Sequence, residues 1–422
     1  MATTTTIQAV KGTRDFYPEA MAFRNWLHDR VRAVSEQFGY QEYEAPILER
    51  LELYAAKSGE ELVKEQAFVL TDRGGDELAL RPELTPSLAR MVAQRQGRLT
   101  LPVRWFSFGP FWRYERPQRG RSREFFQWNI DLLGVESATA DGEIVSIAAL
   151  FLRSLGLTPD DVAIHYNSRR LMEQKLAEIG LGEGKEGEVF RLVDRRDKLP
   201  ADKWQEWALD MGLTDEQFDA LVGVLDDRDL WRESEELCQV VSTAEALGVA
   251  GYLIYDAGIV RGLDYYTGPV FEARDRAKFF RAILGGGRYD NLVADVGGER
   301  LTGTGFAMGD VIVELLLERA GKSPHLPASP SQVLVTLFDE ELYLATIGLA
   351  NRIREAGIKA EQVLDLDRLG KQIRYADRKG IPFVVILGPD ELKAGQVVLK
   401  DLATGEQETH TEESLIRRLL AV

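Results

Sequence analysis

Hydrophobic positions change period along this chain, and each change predicts a different element. Between residues 18 and 38, Phe23, Trp26, Leu27, Val31, Val34 and Phe38 recur at helical spacing, with Pro18 near the start and Gly39 just past the end. That spacing lines one face of a helix, and the proline and glycine suit its two ends. Residues 40–45 alternate as a strand does and stop at Pro46, and a second helix fits 86–96. Apolar runs at 103–108 and 125–133 predict two paired strands with a basic segment between them. From about 168 to 248 the pattern becomes helical and acidic. Within it Thr214 and Gln217 make a capping box, with Leu213 and Phe218 placed as a hydrophobic staple. Strand patterns return at 252–255, 270–273, 279–284 and 302–307, so a first domain is interrupted and then resumes.

Residues 321–330 are rich in proline and serine and suit a linker. Beyond it, apolar runs at 333–338, 359–363, 383–387 and 397–401 alternate with helical patterns at 340–355, 367–379 and 412–420. That alternation predicts a compact α/β domain with a mostly parallel sheet. The expected organisation is a first domain over 1–325 with a helical insertion at about 168–248, a linker remainder at 326–332, and a second domain over 333–422.

Composition narrows the class of protein. The chain has 422 residues, 45% hydrophobic and 28% charged, as a multidomain globular protein does. No apolar run approaches the roughly 20 residues that span a bilayer, and the first residues lack the basic and apolar regions of a secretory signal. The single cysteine, Cys238, excludes an internal disulfide framework and favours a cytoplasmic location. A net charge of −16 opposes indiscriminate nucleic-acid binding and leaves room only for selective docking through local cations.

Against that acidic background, residues 104–124 carry six arginines, two glutamates and no lysine. Arginine holds carboxylate or phosphate oxygens in pairs, so this segment is either a cradle for a polyphosphate or a solvated hairpin tip. Arg81-Pro-Glu83-Leu-Thr85 sets a carboxylate and a hydroxyl together before a helix, which suits an ammonium group or plain helix capping. Arg261-Gly-Leu-Asp264-Tyr265-Tyr266 gathers a cation, a carboxylate and two phenols, and an edge-strand salt bridge is its plain alternative. Gly285-Gly-Gly287-Arg288-Tyr289-Asp290 predicts a glycine turn that lets backbone approach a ligand, or simply a tight hairpin. Standard nucleotide loops are missing: Gly321-Lys322-Ser323 has leucine at 316, and Gly303 to Gly309 has the wrong spacing for a dinucleotide fingerprint. The four histidines are scattered, so no zinc site is expected.

Taken in order, Gly12-Thr-Arg-Asp15, Arg81 to Thr85, Arg113 to Gln127, Arg261 to Tyr266, Gly286 to Asp290 and Gly305 to Gly309 resemble the class II aminoacyl-tRNA synthetases. More specifically, the chain resembles the histidyl-tRNA synthetase family over nearly its whole length. The resemblance implies an α+β catalytic domain on an antiparallel sheet, followed by a domain similar to the family's anticodon-binding domain. It implies activation of L-histidine by ATP, with Mg²⁺, and transfer of the histidyl group to tRNA(His). It also implies a cytoplasmic homodimer, formed through about residues 20–49, with no membrane attachment.

Residue by residue, the resemblance makes Arg113 and Arg261 the catalytic cations beside the α-phosphate. Arg113, Glu115, Arg121 and Arg288 would serve ATP. Glu83, Thr85 and Gln127 would hold the amino group, Asp131 and Tyr266 the imidazole, and Tyr265 would also bind histidine. Arg116, Arg119 and a basic helix with Lys371, Arg374 and Arg378 would meet tRNA. Two departures stand out. Position 131 is aspartate where many members carry glutamate, and position 312 is isoleucine where motif 3 carries an arginine for the γ-phosphate. Either Arg121 or Arg288 compensates, or ATP lies in a different pose, or synthetase activity has been lost. The alternative is a non-catalytic, histidine-sensing paralogue that regulates ATP phosphoribosyltransferase and typically lacks the C-terminal domain present here.

Overall fold

Alternation along two ten-residue strands organises the first unit. β5 (Val103–Trp112) and β6 (Glu124–Leu133) pair antiparallel throughout their length. Side chains of successive strand residues point to opposite faces. On β6 the even positions Trp128, Ile130 and Leu132 are buried, and Trp128 packs against Phe151 of the helix Thr139–Ser154 at 4.9 Å. The odd positions Gln127, Asn129 and Asp131 face the other way.

The computed structural model describes residues 6–55, 66–118, 120–182, 184, 186–260 and 265–421. The chain divides into two compact units. One holds Arg24–Ser323 with the segment before Phe16, and the other holds Pro324–Val422 with Phe16–Phe23. In the first unit, the large sheet runs in the spatial order β1 (Gln41–Glu42), β5, β6, β11 (Gly303–Gly309), β10 (Leu284–Tyr289), β9 (Pro269–Asp275), β7 (Val162–Ser168) and β8 (Leu253–Tyr255). Its central strands are antiparallel, and β1–β5 and β7–β8 are parallel pairs at the two edges. A smaller sheet joins β2 (Leu48–Arg50), β4 (Glu77–Leu80) and β3 (Phe68–Thr71).

The helical segment lies between β7 and β8. Its capping box is present as the sequence predicts: Thr214 Oγ1 accepts from the Gln217 N–H, and the Gln217 side chain accepts from the Thr214 N–H. Trp204 and Phe218 pack at 5.1 Å within it. Its last helix, Glu235–Ala246, lies against Thr139–Ser154 so closely that a Cβ on Gly142 would sit 2.6 Å from the Thr243 side chain.

Two expectations for this unit are corrected. The strand expected at 279–284 begins only at Leu284, because the Phe279 and Phe280 N–H groups are tied to the Asp275 carboxylate at 2.8 and 3.0 Å. The turn expected at Gly285–Gly287 is instead the interior of β10, paired with β11 on one side and β9 on the other. Glycine is required there by close approach: a Cβ on Gly286 would lie 2.3 Å from the Gly305 carbonyl.

In the second unit the sheet order is β13 (Ala360–Gln362), β12 (Val333–Val335), β14 (Phe383–Ile386), β15 (Gln396–Asp401) and β16 (Gln407–Thr411). The expected mostly parallel sheet is mixed, since β14–β15 and β15–β16 are antiparallel. The polar sequence of β16 carries no apolar alternation, so nothing announces it. Val333, Val335, Leu349, Ile353, Val385, Leu399 and Leu415 form one core between this sheet and its helices. Among the described residues no helix is long and apolar enough to cross a membrane.

A buried arginine fixes the first unit's central strands. Arg288, 2% exposed, donates to Asp141 at 2.7 Å, Thr302 Oγ1 at 2.7 Å, and the carbonyls of Val135 and Ser137 at 3.1 Å. Removing one partner of such a pair strands a buried charge. Arg288→Met is expected to lower the unfolding free energy by about 3–5 kcal/mol, read from urea unfolding.

Candidate active site

The cavity-facing row across the sheet is almost free of side chains in its middle. Asp131 on β6 stands beside Gly305 on β11, which stands beside Gly287 on β10. One step along, Asn129 stands beside Ala307, then Gly285, then Glu272 on β9. Over this bare floor lies a cavity of about 1290 Å³. Glu83, Thr85, Arg113, Arg121, Gln127, Asp131, Tyr265 and Tyr266, all singled out from the sequence, are brought together in its wall. A flat ligand can rest on such a floor while polar groups at its edges select what binds.

The carboxylate loop is held from two sides. Arg81 is fully buried, donating from Nε to the Pro110 carbonyl and from Nη1 to the Ala45 carbonyl, each at 2.9 Å, and pairing with Glu44. Arg113 donates from Nε to the Pro82 carbonyl at 2.9 Å. Glu83, between these anchors, is 4% exposed and accepts from the Tyr265 hydroxyl at 3.5 Å. Leu84 occupies the cap position of the helix Thr85–Arg95 and makes no side-chain cap bond. Thr85 is therefore not the cap, and its hydroxyl faces the cavity beside Tyr265.

Arg113 and Arg121 come from the two sides of the segment joining β5 and β6. The Arg113 guanidinium lies over the Phe125 ring at 5.4 Å, and Arg121 pairs with Glu115. Glu115 does not line the cavity itself. Arg116 is exposed, and Arg119, Arg261 and Asp264 lie outside the described residues. Arg288 does not meet the expectation of a ligand contact, because its guanidinium is bound on the opposite face of β10. Ile312 is buried, with its Cδ1 2.8 Å from where a Cβ on Gly120 would stand, so an apolar contact supports the arginine loop there. Asp310, two residues earlier, pairs with Arg14 at 2.7 Å and accepts from the Phe126 N–H at 3.0 Å. In the second unit, Lys371, Arg374 and Arg378 are exposed on the helix Leu369–Lys379 at spacings that share a face.

Some wall residues escaped the sequence reading. Asn129 sits two residues from both Gln127 and Asp131, so strand period alone would have found it. Gln127 Oε1 and Asn129 Oδ1 are buried without a hydrogen-bond partner among the described residues, as acceptors awaiting a ligand are. Glu272, Arg274, Lys278 and Arg281 line the far side, with Arg196 and Lys198 from the helical segment. No group of three metal-ligating side chains occurs among the described residues.

Asp131 is a strongly perturbed carboxyl of the wall. Burial pushes it up to about 7, against the hydrogen bond from Tyr289 that favours its ionised form. A carboxyl raised on folding gives up stability as pH climbs from its unfolded to its folded value. Asp131→Asn escapes that loss. Its melting temperature is therefore expected to exceed the wild type's by an amount that grows from about pH 4 to about pH 7 and then levels, read by thermal unfolding across pH.

Comparison with known proteins agrees with this geometry. Residues 12–310 match the family profile described as histidyl-tRNA synthetase, and residues 332–421 match the anticodon binding domain. The chain is 38% identical to the chloroplastic/mitochondrial histidine–tRNA ligase of Arabidopsis thaliana over 407 residues, covering 94% of this chain and 83% of that one. It is 38% identical to the histidine–tRNA ligase of Thermoplasma volcanium over 425 residues, 97% of each chain. The crystal structure of histidyl-tRNA synthetase from Nostoc superposes with a TM-score of 0.86 at 26% identity, covering 99% of both chains. The chain belongs to the histidyl-tRNA synthetase family of class II aminoacyl-tRNA synthetases.

Proposed function

We propose that this cavity joins L-histidine to ATP, giving histidyl-adenylate and pyrophosphate, and that the histidyl group then passes to the 3′ end of tRNA(His). The observation that carries the reading is the meeting of Glu83, Thr85, Gln127 and Asp131 with Arg113 and Arg121 over one bare floor. Relatives named histidine–tRNA ligase that match nearly the whole chain support it, and they disfavour the regulatory alternative.

In the first step a carboxylate oxygen of histidine attacks the α-phosphorus. The new O–P bond forms as the bond to the bridging oxygen breaks, and pyrophosphate leaves with that electron pair. Both reactants are anions, so the protein's task is positioning and charge neutralisation. Arg113, anchored on Pro82 and Phe125, sits between the amino-acid pocket and the arginine loop, where it neutralises both carboxylate and α-phosphate. Arg121 serves the outer phosphates, in the absence of an arginine at 312. Arg261 remains assigned to the α-phosphate from its motif alone. Glu83, Thr85 and Gln127 receive the ammonium group, and Asp131 and Tyr266 the imidazole. Arg116, Arg119, Lys371, Arg374 and Arg378 are assigned to tRNA.

Mg²⁺ would arrive on the nucleotide's phosphates, keeping most of its waters, as this ion does. Glu272, which pairs with Arg274 in the cavity wall, would be a carboxylate to meet it, and the ion would supply further neutralisation of the phosphates. The single cysteine suits a reducing compartment, and a cytoplasmic location is part of the proposal. So is a homodimer: Ile47, Leu48, Val69 and Leu70 are each at least 40% exposed around the small β2–β4–β3 sheet, an apolar surface suited to a second copy.

Histidine-dependent exchange between ATP and pyrophosphate tests the activity. Arg113→Ala is expected to lower kcat by about a hundredfold or more, and exchange unaffected by this change would refute the assignment. Light scattering behind a sizing column is expected to give twice the chain mass at micromolar concentration, and the chain mass itself would remove the dimer.

A further inference from the structure

Tyr289 was not among the residues expected to serve the site, yet it holds the group on which amino-acid choice rests. Its hydroxyl donates to Asp131 Oδ1 at 2.6 Å, and both residues are buried, at 2% and 3% exposure. Neither has room to move. Tyr289 is paired in register with Gly303, where a Cβ would lie 2.5 Å from the tyrosine ring. Asp131 is paired with Gly305, where a Cβ would lie 2.3 Å from its Oδ1. The ring of Tyr265 stands edge-on to Tyr289 with centroids 6.0 Å apart. Two glycines and a tyrosine ring thus shape a slot for a single arrangement.

Resting on the reading that Asp131 receives the imidazole, we infer that Tyr289 is a positioning residue for histidine. It fixes one oxygen of the Asp131 carboxylate and so presents the other to a ring N–H. The surroundings give that bond its weight. β10 offers Asp131 the Tyr289 phenol, and Tyr40 and Tyr43 add phenols around β1. The 265–266 turn adds Tyr265 and Tyr266, which also feel Glu83 from the neighbouring loop. β5 and β11 face Asp131 with Trp105 and Gly305. Among the described residues no cation acts on the carboxylate. Its ionised form therefore depends on one phenolic donor until the imidazole supplies a second. The Tyr289 hydroxyl acts twice, setting the carboxylate's direction and favouring the charge that accepts a ring proton.

Tyr289→Phe keeps the ring against Gly303 and removes only the donor. Exchange kinetics across about pH 6–9, alongside Asp131→Ala and thermal unfolding of each variant, test the inference. At about pH 7 the expected fall in kcat/KM for histidine is tenfold or more, with kcat at saturating histidine and KM for ATP within about twofold. The acid limb of the histidine profile moves to higher pH, so the deficit shrinks as pH rises. A Tyr289→Phe profile coincident with the wild type, or a loss equal at every pH together with a lowered melting temperature, overturns the inference. If Asp131→Ala itself leaves kcat/KM for histidine unchanged, the imidazole assignment falls and the inference with it. If Asp131→Ala is crippled while Tyr289→Phe is normal, only the positioning role falls.

Discussion

A steric constraint underlies the site: the cavity face of β10 and β11 carries almost nothing larger than hydrogen. Gly285, Gly287 and Gly305, with Ala307, let a ligand lie on backbone between the acidic edge at Asp131 and the mixed charges near Glu272. Glycine inside strands weakens them, by roughly 0.5–1 kcal/mol each relative to alanine. The opposite face compensates through large aromatic contacts, with Trp128 against Phe306 at 4.7 Å and Phe306 against Phe271 at 6.1 Å. The same strand therefore floors the cavity on one side and supplies cohesion on the other. In Arg288-Tyr289-Asp290 the division is visible residue by residue. Arg288 and Asp290 bind the scaffold through Asp141 and Thr302, and Tyr289 turns toward the cavity.

Arginines are divided in the same way, and in an acidic protein this division matters. Arg81 and Arg288 are buried and tied to carbonyls and carboxylates, so their charge is spent on architecture. Arg113 keeps one nitrogen for the Pro82 carbonyl and turns its guanidinium over an aromatic ring, leaving the rest of its fork toward the cavity. Fixed cations of this sort are worth more than mobile surface ones, because they need no reorganisation when an anion arrives.

Much of this was legible in the sequence, and the failures have physical causes. Long periodic patterns, such as the helix at 18–37 and the β5–β6 hairpin, were visible because one face of each must be apolar. The capping box at Thr214 was visible because its chemistry is local. Three adjacent glycines gave a turn signal at 285–287 that tertiary pairing overrode, since only neighbours on both sides make a bare strand necessary. β16 was hidden because an edge strand with two polar faces has no period to detect. The site residues gathered as a set where strand spacing placed them, at 127 and 131. Arg288 shows the limit: a motif cannot tell which face of its strand a side chain takes.

The helical segment between β7 and β8 has a topological consequence. Those strands are parallel neighbours, with Tyr166 opposite Tyr255, so the chain must travel the length of the sheet before it can re-enter. Some crossover is obligatory there, and Glu235–Ala246, locked against Gly142, already performs the return. That connection could never have been a short loop. Shortened descendants of this chain could shed Glu186–Asp194, Ala201–Asp210 and Asp215–Asp226 and keep their sheet intact, but could not shed the returning helix.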